Sequence, residues 1–170
     1  MKAVLAALAL LSASVLSPLV AQGDNEYTRE TLAGLTGVYV SVENIPDEAQ
    51  RDGLDTTRIR TDVELRLRQA SITVLTQQEW LSTAFAPYLY VDVQAIKNRA
   101  NVYAFSANVE LRQRVTLVRN PAMSILATTW SATGIIGTVG SQKLGSVRDD
   151  VRDLADQFIN AYLAANPKRC

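Results

Sequence analysis

From Val38 onward the chain alternates apolar and polar side chains in stretches too regular for loops. Val38, Val40 and Val42 interleave with Tyr39, Ser41 and Glu43 on the way to Ile45, the period of two that marks a half-buried strand. Leu89, Val91 and Val93 do the same against Tyr88, Tyr90, Asp92 and Gln94 between Tyr88 and Ile96. Between Val102 and Val118, Tyr103, Phe105, Ala107, Val109 and Leu111 share one face, and Ser106, Asn108, Glu110, Arg112 and Arg114 the other. A turn at Arg119-Asn120-Pro121-Ala122 then sends Met123 to about Thr133 back as the antiparallel partner. The seventeen residues from Val102 to Val118 span about 56 Å at ~3.3 Å each, well beyond an ordinary strand. Either a bulge divides that strand near Gln113, or the hairpin projects beyond the sheet and pairs with a second chain.

Elsewhere the period becomes helical. Asp55 or Thr56 caps a helix running to about Gln69, with Ile59, Val63, Leu67 and Ala70 as its apolar stripe. Its outer face places Asp62 four residues from Arg66 and Glu64 four from Arg68. Ser71 to Thr76, rich in β-branched residues, reads as a short strand. A second helix opens at Ser146, with Asp149 completing a capping box. It follows Val147, Val151, Leu154, Phe158 and Tyr162 and stops before Asn166-Pro167. Asp24 to Arg29 is a polar lead, and PDEAQRDG is a short helical turn stopped by Gly53. The order β-α-β-β-β-α predicts an α+β fold: a mixed sheet with two helices packed on one face and a long β-hairpin.

Composition adds an address. Ala3 to Ala21 hold no charge behind Lys2, and Ala21-Gln22-Gly23 supplies the small residues of a cleavage site. Residues 1–23 therefore read as a secretory signal and 24–170 as a single domain, periplasmic or secreted. The rival is a retained membrane anchor, against which Ser12, Ser14, Ser17 and Pro18 interrupt the apolar run. No cysteine adjoins the cleavage point, which leaves the lipoprotein route without an attachment residue. Basic and acidic residues both number 17, so net charge favours neither nucleic acid nor an acidic membrane. The single cysteine, Cys170, is either an exposed tail thiol or one half of an intermolecular disulfide.

The chemistry is bounded by the absence of histidine. Ser-His-Asp and Cys-His catalysis and histidine-ligated zinc are unavailable, and neither metal nor cofactor is expected. Paired carboxylates remain open for a hydrolase, with Asp92 and Glu110 as candidates. Asp149, Asp150, Asp153 and Asp156 read instead as a solvated helix face paired with Arg148 and Arg152. Gly134, Gly137 and Gly140 lack the spacing of a phosphate loop and fit a flexible strand end.

Strand alternation sends Tyr39, Ser41, Glu43, Tyr88, Tyr90, Asp92, Gln94, Asn108, Glu110, Arg112 and Arg114 to the face opposite the helices. Tyrosine and arginine there suit a protein, peptide or glycan partner, although an ordinary solvated face pairs tyrosines in the same way. A second reading is a small-ligand carrier whose pocket between helices and sheet is lined by Trp80, Phe85, Trp130 and Phe158.

In the order of its elements, through GVYVSVENI, TDVELRLRQASITVLTQQEW, PYLYVDVQAI and RDDVRDLADQFINAYL, the chain resembles small exported domains. These are the amino-terminal domain of TolB, the periplasmic activators of penicillin-binding proteins and the curli secretion subunit. It is also similar to an exported bacterial family without assigned activity. The resemblance implies a non-catalytic interaction module of the cell envelope, binding through an open sheet face or a strand edge. It carries over no binding residue. Solution mass at several concentrations, with and without reductant, separates the assembly readings. A monomer directs attention to the tyrosine face, a reductant-insensitive dimer to the hairpin from Val102 to Thr133, and a reductant-sensitive dimer to Cys170.

Overall fold

The computed structural model describes residues 23–83 and 86–167; the expected leader as far as Gln22, Phe85 and Cys170 lie outside them. The elements in chain order are α1 (Glu26–Glu30), β1 (Tyr39–Val42), α2 (Asp47–Arg51), α3 (Thr56–Gln69), α4 (Gln77–Ser82), β2 (Tyr88–Lys97), β3 (Val102–Leu117), β4 (Asn120–Ser131), β5 (Ile135–Gly140), a 3₁₀ turn (Ser141–Ser146) and α5 (Val147–Ala165). The fold is α+β. β1 runs parallel to β2, and β2 and β4 flank β3 antiparallel; β5 also pairs with β3, beside its first half.

Burial follows the alternation. Val40, Leu89, Val91, Val93, Ala107, Val109 and Leu111 are fully buried and join Ile59, Val63 and Leu67 of α3 and Val151, Leu154 and Phe158 of α5 in a single cluster. The two long helices thus lie on one face of the sheet, as the sequence predicts. Across their outer surface Arg148 reaches Asp62 at 2.7 Å and Arg66 reaches Asp156 at 2.8 Å. The expected Asp62–Arg66 pair gives way to these interhelical bonds because α5 offers each a partner from the neighbouring helix, while Glu64–Arg68 forms at 2.9 Å. Asp149 pairs with Arg152. Burial, then the Asp153 and Asp149 charges, push the Asp150 carboxyl upward.

Several expectations are corrected. Ser71 to Thr76 is not a strand: Ser71 sits at φ 63°, and the Ile72 N–H turns back to the Leu67 carbonyl at 2.9 Å. Thr76 is committed to capping α4, so only the bridge Val38–Val74 remains. The polar lead contains α1, capped by Asn25 and Thr28. The hairpin turn is Val118-Arg119, two residues before the expected centre, and Asn120 already faces Leu117. Ser146 caps nothing with its side chain, because the 3₁₀ turn delivers it in helical geometry at φ −71° and ψ −17°. The glycine-rich stretch is a full strand, β5. A Cβ on Gly137 would stand 2.9 Å from the Phe105 ring, so this glycine admits an aromatic side chain rather than a phosphate.

The expected bulge falls on β4 rather than on β3 near Gln113, and the hairpin does project beyond the sheet. Leu111 faces Trp130 but Arg112 faces Thr128, so β4 carries a bulge at Thr129. β2 ends its pairing with β3 at Tyr88–Arg112, and beyond this, among the described residues, β4 alone pairs with β3. The hairpin therefore projects as a two-stranded arm. At its base Trp130 is 1% exposed, packs edge to face on Phe158 with ring centroids 5.4 Å apart, and donates its indole N–H to Asp24 at 3.0 Å. Arg29 grips the same carboxylate at 2.6 Å, and that bond holds Asp24 below the usual carboxylate range against the opposing effect of burial.

Trp130 joins arm, α1 and α5. Trp130→Ala should lower the unfolding free energy by about 3–5 kcal/mol. Trp130→Phe, which keeps most of the ring but deletes the bond to Asp24, should cost less, as chemical denaturation will measure.

Candidate functional site: the outer sheet face

The register settles which polar side chains become neighbours. Tyr39, Tyr88 and Arg112 form one row across β1, β2 and β3; Ser41, Tyr90 and Glu110 form the next; Asp92 and Asn108, then Gln94 and Ser106, continue it. Glu43, just past β1, is held alongside by its N–H on the Val91 carbonyl at 2.8 Å. Arg114 lies further out, on the arm opposite Leu126. All eleven predicted residues share one face, ten of them on the contiguous sheet and Arg114 on the projecting arm.

Within the face the side chains interlock. The Tyr90 hydroxyl donates to the Glu43 carboxylate, and the Arg112 guanidinium lies 3.7 Å over the Tyr90 ring. Arg112 also donates to Glu110 at 3.1 Å, and Thr128 of β4 donates to the same carboxylate oxygen at 2.9 Å. The Gln94 amide donates to Asp92 at 2.6 Å. The bond to Glu43 pushes the Tyr90 phenol up to about 12, with burial and the negative charges of Glu43 and Asp92 adding to it. The same bond, together with the Asn44 N–H, holds Glu43 below its ordinary range.

One end of the face is not open. Trp80 of α4 stacks on Tyr39 with centroids 5.0 Å apart and 18° between planes, and meets Tyr88 edge-on at 5.6 Å; Tyr88 in turn meets Tyr90 at 6.5 Å. The indole N–H is spent on the Ala86 carbonyl at 2.9 Å. The contacts thus run from Tyr39 through Trp80 and Tyr88 to Tyr90, over β1 and β2, and are closed by the Arg112 guanidinium. No family model matches this chain, and a search of the curated proteins finds no match to it.

Trp80 was expected in a pocket with Phe85, Trp130 and Phe158. Trp130 and Phe158 lie together in the core on the helix side, Trp80 lies on the opposite face, and Phe85 is outside the described residues. The expected lining is therefore not assembled. A concavity beside Trp80, bounded by Leu81, Thr83, Ala86 and Leu126, holds about 230 Å³, below the ~300 Å³ at which ligand pockets begin. The one local signal for Trp80 is the reciprocal capping box of Thr76 and Glu79, which starts a short helix at Gln77, three residues before it.

The carboxylates Asp92 and Glu110 do share this face, each engaged by a neighbouring side chain. Among the described residues no cluster of three or more acidic, histidine or cysteine side chains is placed to hold a metal ion.

The Tyr90–Glu43 bond makes a pH prediction. A folded pKa of about 12 against the ordinary 10.0 means that the native state retains its proton where the unfolded chain loses it. The bond's contribution to stability is complete below pH 10 and vanishes as pH rises through about 12. Ultraviolet absorbance titration should show two late-ionising tyrosines, Tyr90 and the buried Tyr103, whose phenol is pushed up by burial and by its bond to Asp52, and Glu43→Gln should return only Tyr90 toward the ordinary value.

Proposed function

We propose that the chain is a non-catalytic module exported to the periplasm or beyond, which docks a protein or glycan partner on its outer sheet face. The observation that carries this reading is the row of rings, Trp80, Tyr39, Tyr88 and Tyr90, closed by Arg112. Aromatic and arginine side chains dominate binding energy at interfaces because they offer large contact area at little conformational cost. Here their rotamers are already held by stacking and hydrogen bonds, so ordering them costs a partner little. The lack of histidine and the order of elements, which resembles that of envelope interaction domains, support the same reading. Among the described residues no helix is long and apolar enough to cross a membrane.

Export is tested by the mass of the protein recovered from its host, which should correspond to a chain beginning at Asp24. The face is tested by Tyr88→Ala, Tyr90→Ala and Arg112→Ala, alone and combined. Each should weaken a partner captured by the wild type by roughly 2 kcal/mol, about thirtyfold, while Arg68→Ala on the helix side leaves it unchanged. Equal affinity for the triple variant rejects the face.

A further inference from the structure

β4 is the terminal strand of the path β1-β2-β3-β4, so among the described residues no strand pairs with its outer edge from Ser124 to Thr128. Natural edge strands are normally guarded by charge, proline or a bulge. β4 carries no charged residue from Asn120 to Ser131, in a chain that is 20% charged. Its irregularities sit only at the ends. Near the tip the register jumps from Thr116–Ser124 to Leu117–Asn120, and at the base lies the bulge at Thr129, whose carbonyl accepts from the Thr31 hydroxyl at 3.4 Å. Between them Ser124 to Thr128 continues in regular register, with Ile125 39% and Leu126 45% exposed on opposite faces of the arm.

We propose that this edge pairs with the same edge of a second copy, antiparallel across a two-fold axis centred on Leu126. The argument is the pairing itself. With Leu126 opposite its own counterpart, Ser124 faces Thr128, Ile125 faces Ala127, and Thr128 faces Ser124. Every cross-strand pair is apolar on apolar or hydroxyl on hydroxyl, the combinations that stabilise neighbouring strands. A neutral strand offers a charged partner nothing to match, whereas a second neutral strand meets it without repulsion. The other open edge of the arm, β3 beyond Arg112, bears Arg114. Joining that edge to β4 would make a head-to-tail contact that does not close, whereas two β4 edges close as a dimer.

Sedimentation of the purified protein in reductant, across a concentration series, should show a monomer–dimer equilibrium that stops at two. Leu126→Lys or Leu126→Asp alone should each raise the dissociation constant at least about tenfold, or ~1.4 kcal/mol, since each places like charges directly opposite. Mixing the two variants should restore the dimer. Ser124→Lys, away from the axis, should weaken the dimer by a comparable factor. A wild type that remains monomeric, assembly that continues past the dimer, or a dimer indifferent to Leu126→Lys and Ser124→Lys overturns the proposal. None of these outcomes depends on the tyrosine face having a partner.

Discussion

A single strand holds three others in place. One edge of β3 meets β2 from Tyr103 to Arg112, and its other edge meets β5 from Val102 to Ala107 and β4 from Glu110 to Leu117. Sharing one edge between two strands requires a hand-over. It occurs where Ala132, between β4 and β5, donates its N–H to the Val109 carbonyl at 2.9 Å. The bulge at Thr129 lies beside this point, and it lets β4 turn Trp130 into the core while the rest of the strand leaves the sheet. Backbone groups buried in a sheet must be paired or incur a desolvation penalty. That requirement fixes the position of the arm, of α1 beneath it and of the core around Trp130.

The same strand divides the molecule chemically. Leu111 is fully buried, and Arg112, one residue later, lies on the outer face against Tyr90. On that face Arg112 is paired with Glu110, while the Glu43 and Asp92 carboxylates keep their charge and are hydrogen-bonded by the neutral Tyr90 hydroxyl and Gln94 amide. What the face presents is ring area with fixed orientation, which selects by stacking and shape. The molecule's neutral overall balance, 17 basic against 17 acidic residues, fits a surface that works in this way.

The strands and long helices were legible because burial on one side imposes a period. β2 and α3 end within a residue of where Ile96 and Gln69 place them. The face was legible for the same reason, since residues that alternate with a buried set must share the opposite side. What escaped was decided by local backbone chemistry. Ser71 in left-handed geometry ended a β-branched run that propensity assigns to a strand. Thr76 and Glu79 began a helix too short to show a period. Val118-Arg119 took the turn from a stretch containing proline and asparagine, which are the commoner turn formers. The position of Trp80 followed from that unseen helix, so its place on the outer face was invisible to pattern alone.

The arm requires a separate explanation. Up to Leu111 the apolar positions of β3 are accounted for by the core they fill. Beyond Arg112 the strands meet Thr31 at the end of α1 through Gln113 and Thr129, and Leu126 borders the concavity beside Trp80 of α4; yet Ile125 and Leu126, on opposite faces, are apolar and stay exposed. Solvation would favour polar or charged substitutes at both positions, because an exposed hydrophobic edge invites uncontrolled association. Folding accounts for Trp130 and the bulge but not for a neutral strand outside the core. The proposed pairing with a second copy would give that strand a physical reason.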